Sequence, residues 1–135
     1  MRILFDTSIV LDVLLNRHPW VQDSSALWQA NDEGRVAGYI TATTLTNIFY
    51  IARRQTNLQQ AFQAVDTCLQ AFEICSVDRQ ALAYARTLLG SDFEDHLQIA
   101  CAVLSQLDAI VTRDPSGFTS SPIAVYDAAK MLQQL

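Results

Sequence analysis

The stretch Ile3-Leu4-Phe5-Asp6-Thr7-Ser8-Ile9-Val10-Leu11-Asp12 decides how the rest of the chain is read. Its first three residues form a short apolar run, the mark of a strand buried on both faces. The run stops at Asp6, and Thr7 or Ser8 can cap a helix that continues through Leu15 and ends near Pro19. A carboxylate is therefore left at the carboxyl end of a buried strand. Open parallel sheets form their ligand crevices at that edge.

The same alternation continues outward. A helix is expected from Val21 to Glu33, ended by Gly34, then a strand over Tyr39-Ile40-Thr41. Between Thr43 and Arg54, Leu45, Ile48, Phe49 and Ala52 fall at helical spacing, and a further helix covers Leu58 to Ala71. A third strand runs from Phe72 to Val77, and Asp78 caps a helix to Leu89. After the Gly90-Ser91 break, Asp92 opens a helix through Leu107. Strand Ala109-Ile110-Val111 ends at Thr112-Arg113-Asp114. A loop with Pro115, Gly117 and Pro122 follows, then strand Ile123-Ala124-Val125 and a closing helix. Strands alternating with helices imply an α/β fold with a parallel sheet covered on both faces. No repeat or linker interrupts it, so residues 1–135 are read as a single domain.

With 50% hydrophobic and 17% charged residues, the chain is too apolar for disorder. Nine basic residues, of which only Lys130 is lysine, stand against 14 acidic ones, for a formal net charge of −5. That balance argues against a nucleic-acid binder relying on backbone neutralisation alone. It leaves room for an enzyme that holds phosphates through bound cations. Cys68, Cys75 and Cys101 fit neither a zinc site nor a disulfide framework and read as reduced thiols in a core. Asp6 and Asp12 interrupt the only stretch that resembles a signal peptide, and no run is long enough to span a bilayer. A cytoplasmic location is expected, with no membrane partner.

The acidic residues carry the chemistry. Asp6 and Asp114 each follow a strand, and Asp92, Glu94 and Asp95 begin a helix. Each has a local reading as well: Asp6 as a helix cap, Asp92 with Asp95 as a capping box, Asp114-Pro115 as a turn. Their combination points to a shared pocket, where like charges raise one another's pKa unless a cation offsets them. Oxygen-only ligands of this kind select Mg²⁺ or Mn²⁺. Helical phase places Asp92 and Asp95 on one face and turns Glu94 about 100° away. On that phase Asp95 enters the pocket, Asp92 assists it and Glu94 stays out. Asp12 either orients a neighbour or faces solvent, and His96 reads as a surface residue. Phosphate loops, His-Glu-x-x-His, paired Cys-x-x-Cys and Gly-x-Ser-x-Gly elbows are all missing.

The opening segment, the block Thr44-Leu45-Thr46-Asn47-Ile48-Phe49-Tyr50, the run Asp92-Phe93-Glu94-Asp95 and the ending Val111-Thr112-Arg113-Asp114 together resemble a PIN domain. Their order and spacing match over essentially the whole chain. The resemblance implies a three-layer α/β/α fold with a short parallel sheet of four or five strands. It also implies a metal-dependent ribonuclease of the VapC toxin type. Asp6, Asp95 with Asp92 as helper, and Asp114 correspond to the family's metal-binding acids. Asn47 stands where many PIN nucleases carry glutamate, as in a subgroup with Thr-Asn-Ile on the third helix. It retains a carbonyl oxygen but no charge.

The catalytic set implied is thus Asp6, Asn47, Asp92, Asp95 and Asp114, with Mg²⁺ or Mn²⁺ as cofactor. Arg113 is expected to hold substrate phosphate, and Arg53 and Arg54 either do the same or face solvent as helix C-terminal charges. The implied reaction is endonucleolytic hydrolysis of RNA phosphodiester bonds, with an antitoxin protein as partner and a homodimer left open. The alternative is a PIN-like module that binds RNA or protein without efficient catalysis. The remaining aspartates favour the enzyme, Asn47 the module.

Overall fold

The computed structural model describes all 135 residues. Strands β1 (Arg2–Phe5), β2 (Ala37–Thr41), β3 (Glu73–Cys75), β4 (Ala109–Val111) and β5 (Ala124–Tyr126) form one sheet in the order β3-β2-β1-β4-β5. Every pairing is parallel. The helices are α1 (Thr7–Leu14), α2 (Val21–Asp32), α3 (Ala42–Gln55), α4 (Leu58–Ala71), α5 (Arg79–Thr87), α6 (Phe93–Leu104) and α7 (Ala128–Gln133). A short 3₁₀ turn, Pro115–Phe118, lies in the segment expected to be loop. This is the three-layer α/β arrangement anticipated from the strand–helix alternation.

Side-chain alternation along the central strands builds a core on each face of the sheet. Ile3 and Phe5, with Ala109 and Val111, join the core that includes residues of α1, α2, α3, α4 and α7. Leu4 and Ile110 point the other way, into a smaller core with α5 and α6. The register pairs Leu4 with Ile110 and Phe5 with Val111, so each buried row continues from strand to strand. Phe72, just before β3, meets Phe5 and Trp28 with ring centroids 5.0 and 4.8 Å apart, closing one end of the larger core.

One boundary differs from the sequence reading for a visible reason. Helix α6 ends at Leu104 rather than Leu107 because Gln106 adopts a left-handed backbone, φ 57°. Gln106 N–H then donates to Val103 C=O and Leu107 N–H to Ala102 C=O, the paired bonds of a Schellman stop. Glycine usually fills that position, so the signal was absent. The last strand is displaced by one residue to Ala124–Tyr126.

The strand order matters most for function. The chain steps from β1 to β2 to β3, then returns to place β4 on the opposite side of β1. Crossovers on the two sides leave a crevice beyond the carboxyl ends of β1 and β4, the topological switch point. Asp6 follows β1 there, and Thr112 follows β4.

Candidate active site

Asp6 occupies the cap position of α1, yet its side chain makes no capping bond. It is 8% exposed and turned into the switch point. Gln98 Nε2 donates to Oδ1 at 2.7 Å, and Thr112 Oγ1 and Ser8 Oγ donate to Oδ2 at 2.7 and 3.1 Å. The carboxylate is thereby held by three different elements: α6, the end of β4 and its own helix. Thr112 also accepts from Asp114 N–H at 3.1 Å, which fixes the chain just after the strand.

Helix α6 brings the other acids. Asp92 caps it, accepting from Asp95 N–H at 3.1 Å. Asp95 is partly buried, and its carboxyl is pushed up to about 7, first by burial and then by the charges of Asp6, Asp92 and Glu94. The backbone of Gly117 lies against Asp95 Oδ2 so closely that a Cβ there would overlap it. Glu94 accepts from Asn47 Nδ2 at 2.7 Å. Burial raises its pKa, with Asp6 and Asp92 adding to the effect and the Asn47 bond opposing it.

The cleft in front of Asp6 has a volume of about 460 Å³. Its walls are Asp6, Thr7, Ser8, Leu11 and Arg17 on one side, Asn47, Tyr50, Ile51 and Arg54 of α3 on the other, with Glu94 between them. Glu94, expected from helical phase to stay out, lines the cleft, while Asp95 backs onto Gly117. From the first turn of α6 the Glu94 carboxylate meets Asn47 on α3. Asp95 still feels the Asp6 charge.

Two expected participants are placed elsewhere. Asp114 accepts from Ser116 N–H at 3.2 Å and from the Ser116 hydroxyl, opening the 3₁₀ turn. Those bonds hold its carboxyl below its ordinary pKa, and it does not line the cleft. Arg113, expected to hold phosphate, turns away: Nε lies 3.0 Å from Asp12 Oδ2 and the guanidinium stacks 3.9 Å above the Trp20 ring. Asp12 is fully buried rather than solvent-facing. Burial raises its pKa, against the pull of Arg113 and Arg17. His96 is buried as well, not on the surface. Arg54 reaches the cleft and Arg53 does not line it.

Sequence reasoning overlooked Gln98, Thr112 as an Asp6 partner, Arg17 and Tyr50. Gln98 lies four residues after Glu94, and Tyr50 three after Asn47. The helical spacing that sorted the acids would also have found these two.

A PIN domain family model matches residues 2–116. The chain belongs to the PIN domain family. Solved structures agree in fold. FitAcB from Neisseria gonorrhoeae superposes with a TM-score of 0.74 at 19% identity, covering 94% of this chain and 98% of that one. VapBC2 from Rickettsia felis, crystallised with a DNA fragment from its promoter, gives 0.72 at 16% identity over the same shares. VapC20 of Mycobacterium tuberculosis, a toxin that cleaves the sarcin–ricin loop, gives 0.70 at 13% identity, covering 86% and 92%. No curated protein matches the sequence. PIN nucleases generally use divalent metals.

No three His, Cys, Asp or Glu side chains of this PIN domain converge tightly enough to enclose an ion. The donor set nevertheless suits a hard cation in kind. Asp6, Glu94 and Asp95 offer only oxygen, and Asp95 is pushed up to about 7 by burial and by neighbouring charges that a cation would offset. The buried Gln98 Oε1 beside Asp6 has no donor. No helix is long and apolar enough to cross a membrane.

Proposed function

We propose that this PIN domain is a divalent-cation-dependent endoribonuclease and the toxin of a toxin–antitoxin pair. The observation that carries the reading is Asp6, fixed at the switch point by Gln98 and Thr112 and facing a cleft that Glu94 and Asn47 also line. Asp6 and Glu94, the two carboxylates that line the cleft, would hold Mg²⁺ or Mn²⁺ together with water, while Asp92 caps α6 at Asp95 N–H behind them. Such an ion polarises a phosphoryl oxygen and supplies hydroxide near neutral pH.

The chain's own residues do the rest. Asn47 holds Glu94 in place through its amide N–H, leaving its carbonyl oxygen for a neutral contact. Arg17 and Arg54 flank the cleft and suit phosphates on either side of the scissile bond. Tyr50, 53% exposed between them, offers a ring on which an unpaired base can stack. Asp114 remains a candidate only if its Ser116 contacts open. An antitoxin partner is supported by the fold shared with VapBC2, and with a toxin–antitoxin complex from Klebsiella pneumoniae at 22% identity.

The test is cleavage of single-stranded RNA by purified protein in Mn²⁺, in EDTA, and with Asp6→Asn. Cleavage that needs the ion and the aspartate is the expected result; none by the parent in Mn²⁺ overturns the reading. The neutral Asn47, and the absence of an enclosed three-acid cluster, favour a second reading as an RNA-binding module. RNA retained uncut with equal affinity in Mn²⁺ and EDTA would establish it.

A further inference from the structure

Gln98 is 1% exposed, an uncommon place for an amide, and it lies on α6 among otherwise apolar or small neighbours: Leu97, Ile99, Ala100. Its Nε2 donates to Asp6 Oδ1 at 2.7 Å, at the short end of the range for such bonds. Turning the amide over would set two oxygens against each other, so Asp6 dictates its orientation. The second amide atom, Oε1, is then buried with no donor. A buried acceptor without a partner is costly, and where one persists it marks a functional contact or a bound water or ion.

Helical position adds to the argument. Gln98 follows Glu94 by four residues and Asp95 by three, the spacing that stacks side chains along one strip of α6. Thr112 fixes the other oxygen of Asp6 from the opposite side. An apolar residue at 98 would satisfy the packing and leave Oδ1 of Asp6 without its donor, the carboxylate then being held through Oδ2 alone.

Resting on the nuclease reading of the cleft, we propose that Gln98 is the positioning residue for Asp6: its buried amide N–H holds the carboxylate in the orientation that takes up the cation. The donor half of the amide aims the carboxylate. Outer partners of metal ligands act in this way.

Gln98→Met keeps the volume and removes both amide atoms, while Gln98→Asn keeps the amide but cannot reach. Parent and variants are compared for Mn²⁺ affinity by calorimetry, for kcat and KM on single-stranded RNA, and for melting temperature in EDTA. Both variants should lose roughly 10- to 100-fold in Mn²⁺ affinity or kcat, with KM little changed. Gln98→Met should melt in EDTA no lower than the parent, because an unsatisfied buried oxygen is gone. If Gln98→Met does not fold, Gln98→Asn is read alone. An active parent with variants that bind Mn²⁺ and turn over as it does would overturn this proposal and leave the nuclease reading standing. Lower melting with affinity and kcat per folded molecule intact would make Gln98 a core residue only. A parent that neither binds Mn²⁺ nor cleaves RNA overturns both.

Discussion

Asp6 and Asp114 each stand one to three residues beyond a central strand, yet their surroundings differ. Asp6 accepts from Gln98, Thr112 and Ser8 and faces the cleft; Asp114 accepts from its neighbour Ser116. Asp6→Asn must turn an amide N–H toward one of these donors, so it should abolish RNA cleavage, whereas Asp114→Asn should cost far less. Glu94→Gln should fall nearer to Asp6→Asn than to Asp114→Asn, because Glu94 lines the cleft. Initial rates in Mn²⁺ for the three variants check the order. Asp95 makes a separate prediction about pH. Its folded-state pKa, about 7, lies above the ordinary carboxyl value of 3.8, so between these the native state binds more protons than the unfolded one. Stability without metal should therefore fall as pH rises from about 4 to about 7, in the sense that linkage requires. Glu94 and Asp12, also raised, act in the same direction. Melting in EDTA should show this decline, and Asp95→Asn should flatten it and melt higher than the parent at pH 8.

At the scale of elements, the Asp12–Arg113 pair ties the end of α1 to the chain leaving β4, with Trp20 stacked on the guanidinium. Removing one partner strands a buried charge. Arg113→Ala should destabilise by about 3–5 kcal/mol, while the double change Asp12→Leu with Arg113→Met should recover most of the loss. Urea denaturation of the three proteins checks this. The pair also illustrates what the sequence could convey. Strand–helix alternation, and the apolar runs at Ile3-Leu4-Phe5 and Ala109-Ile110-Val111, made the layers and the parallel sheet legible, because each follows from local periodicity. Asp6 was legible too, since strand end and site coincide in this class of sheet. What escaped were partnerships across the chain. Arg113 reads as a phosphate clamp until α1 is seen to bury Asp12 beside it, and Glu94 reads as turned away until α3 is seen to supply Asn47. Gln106, a stop without glycine, left no mark of its own.

For the molecule as a whole, a cation that binds only the folded protein should raise its melting temperature. At about 100 times its dissociation constant the gain is about 2.7 kcal/mol, and Asp6→Asn should abolish it. Calorimetric melts with and without millimolar Mn²⁺ check this, and a parent indifferent to the ion would remove the cation from the site. The sheet order has a further consequence, for synthesis. Asp6 precedes its partner Thr112 by 106 positions, and β4 must insert beside β1 before the two can meet. Domains generally fold as units, and pairings distant in sequence form late. A nascent chain that has already exposed β1, β2 and β3 thus carries its first aspartate without the grip that aims it. Until β4 has been translated and has docked beside β1, the ribosome holds a chain whose cleft is not yet assembled.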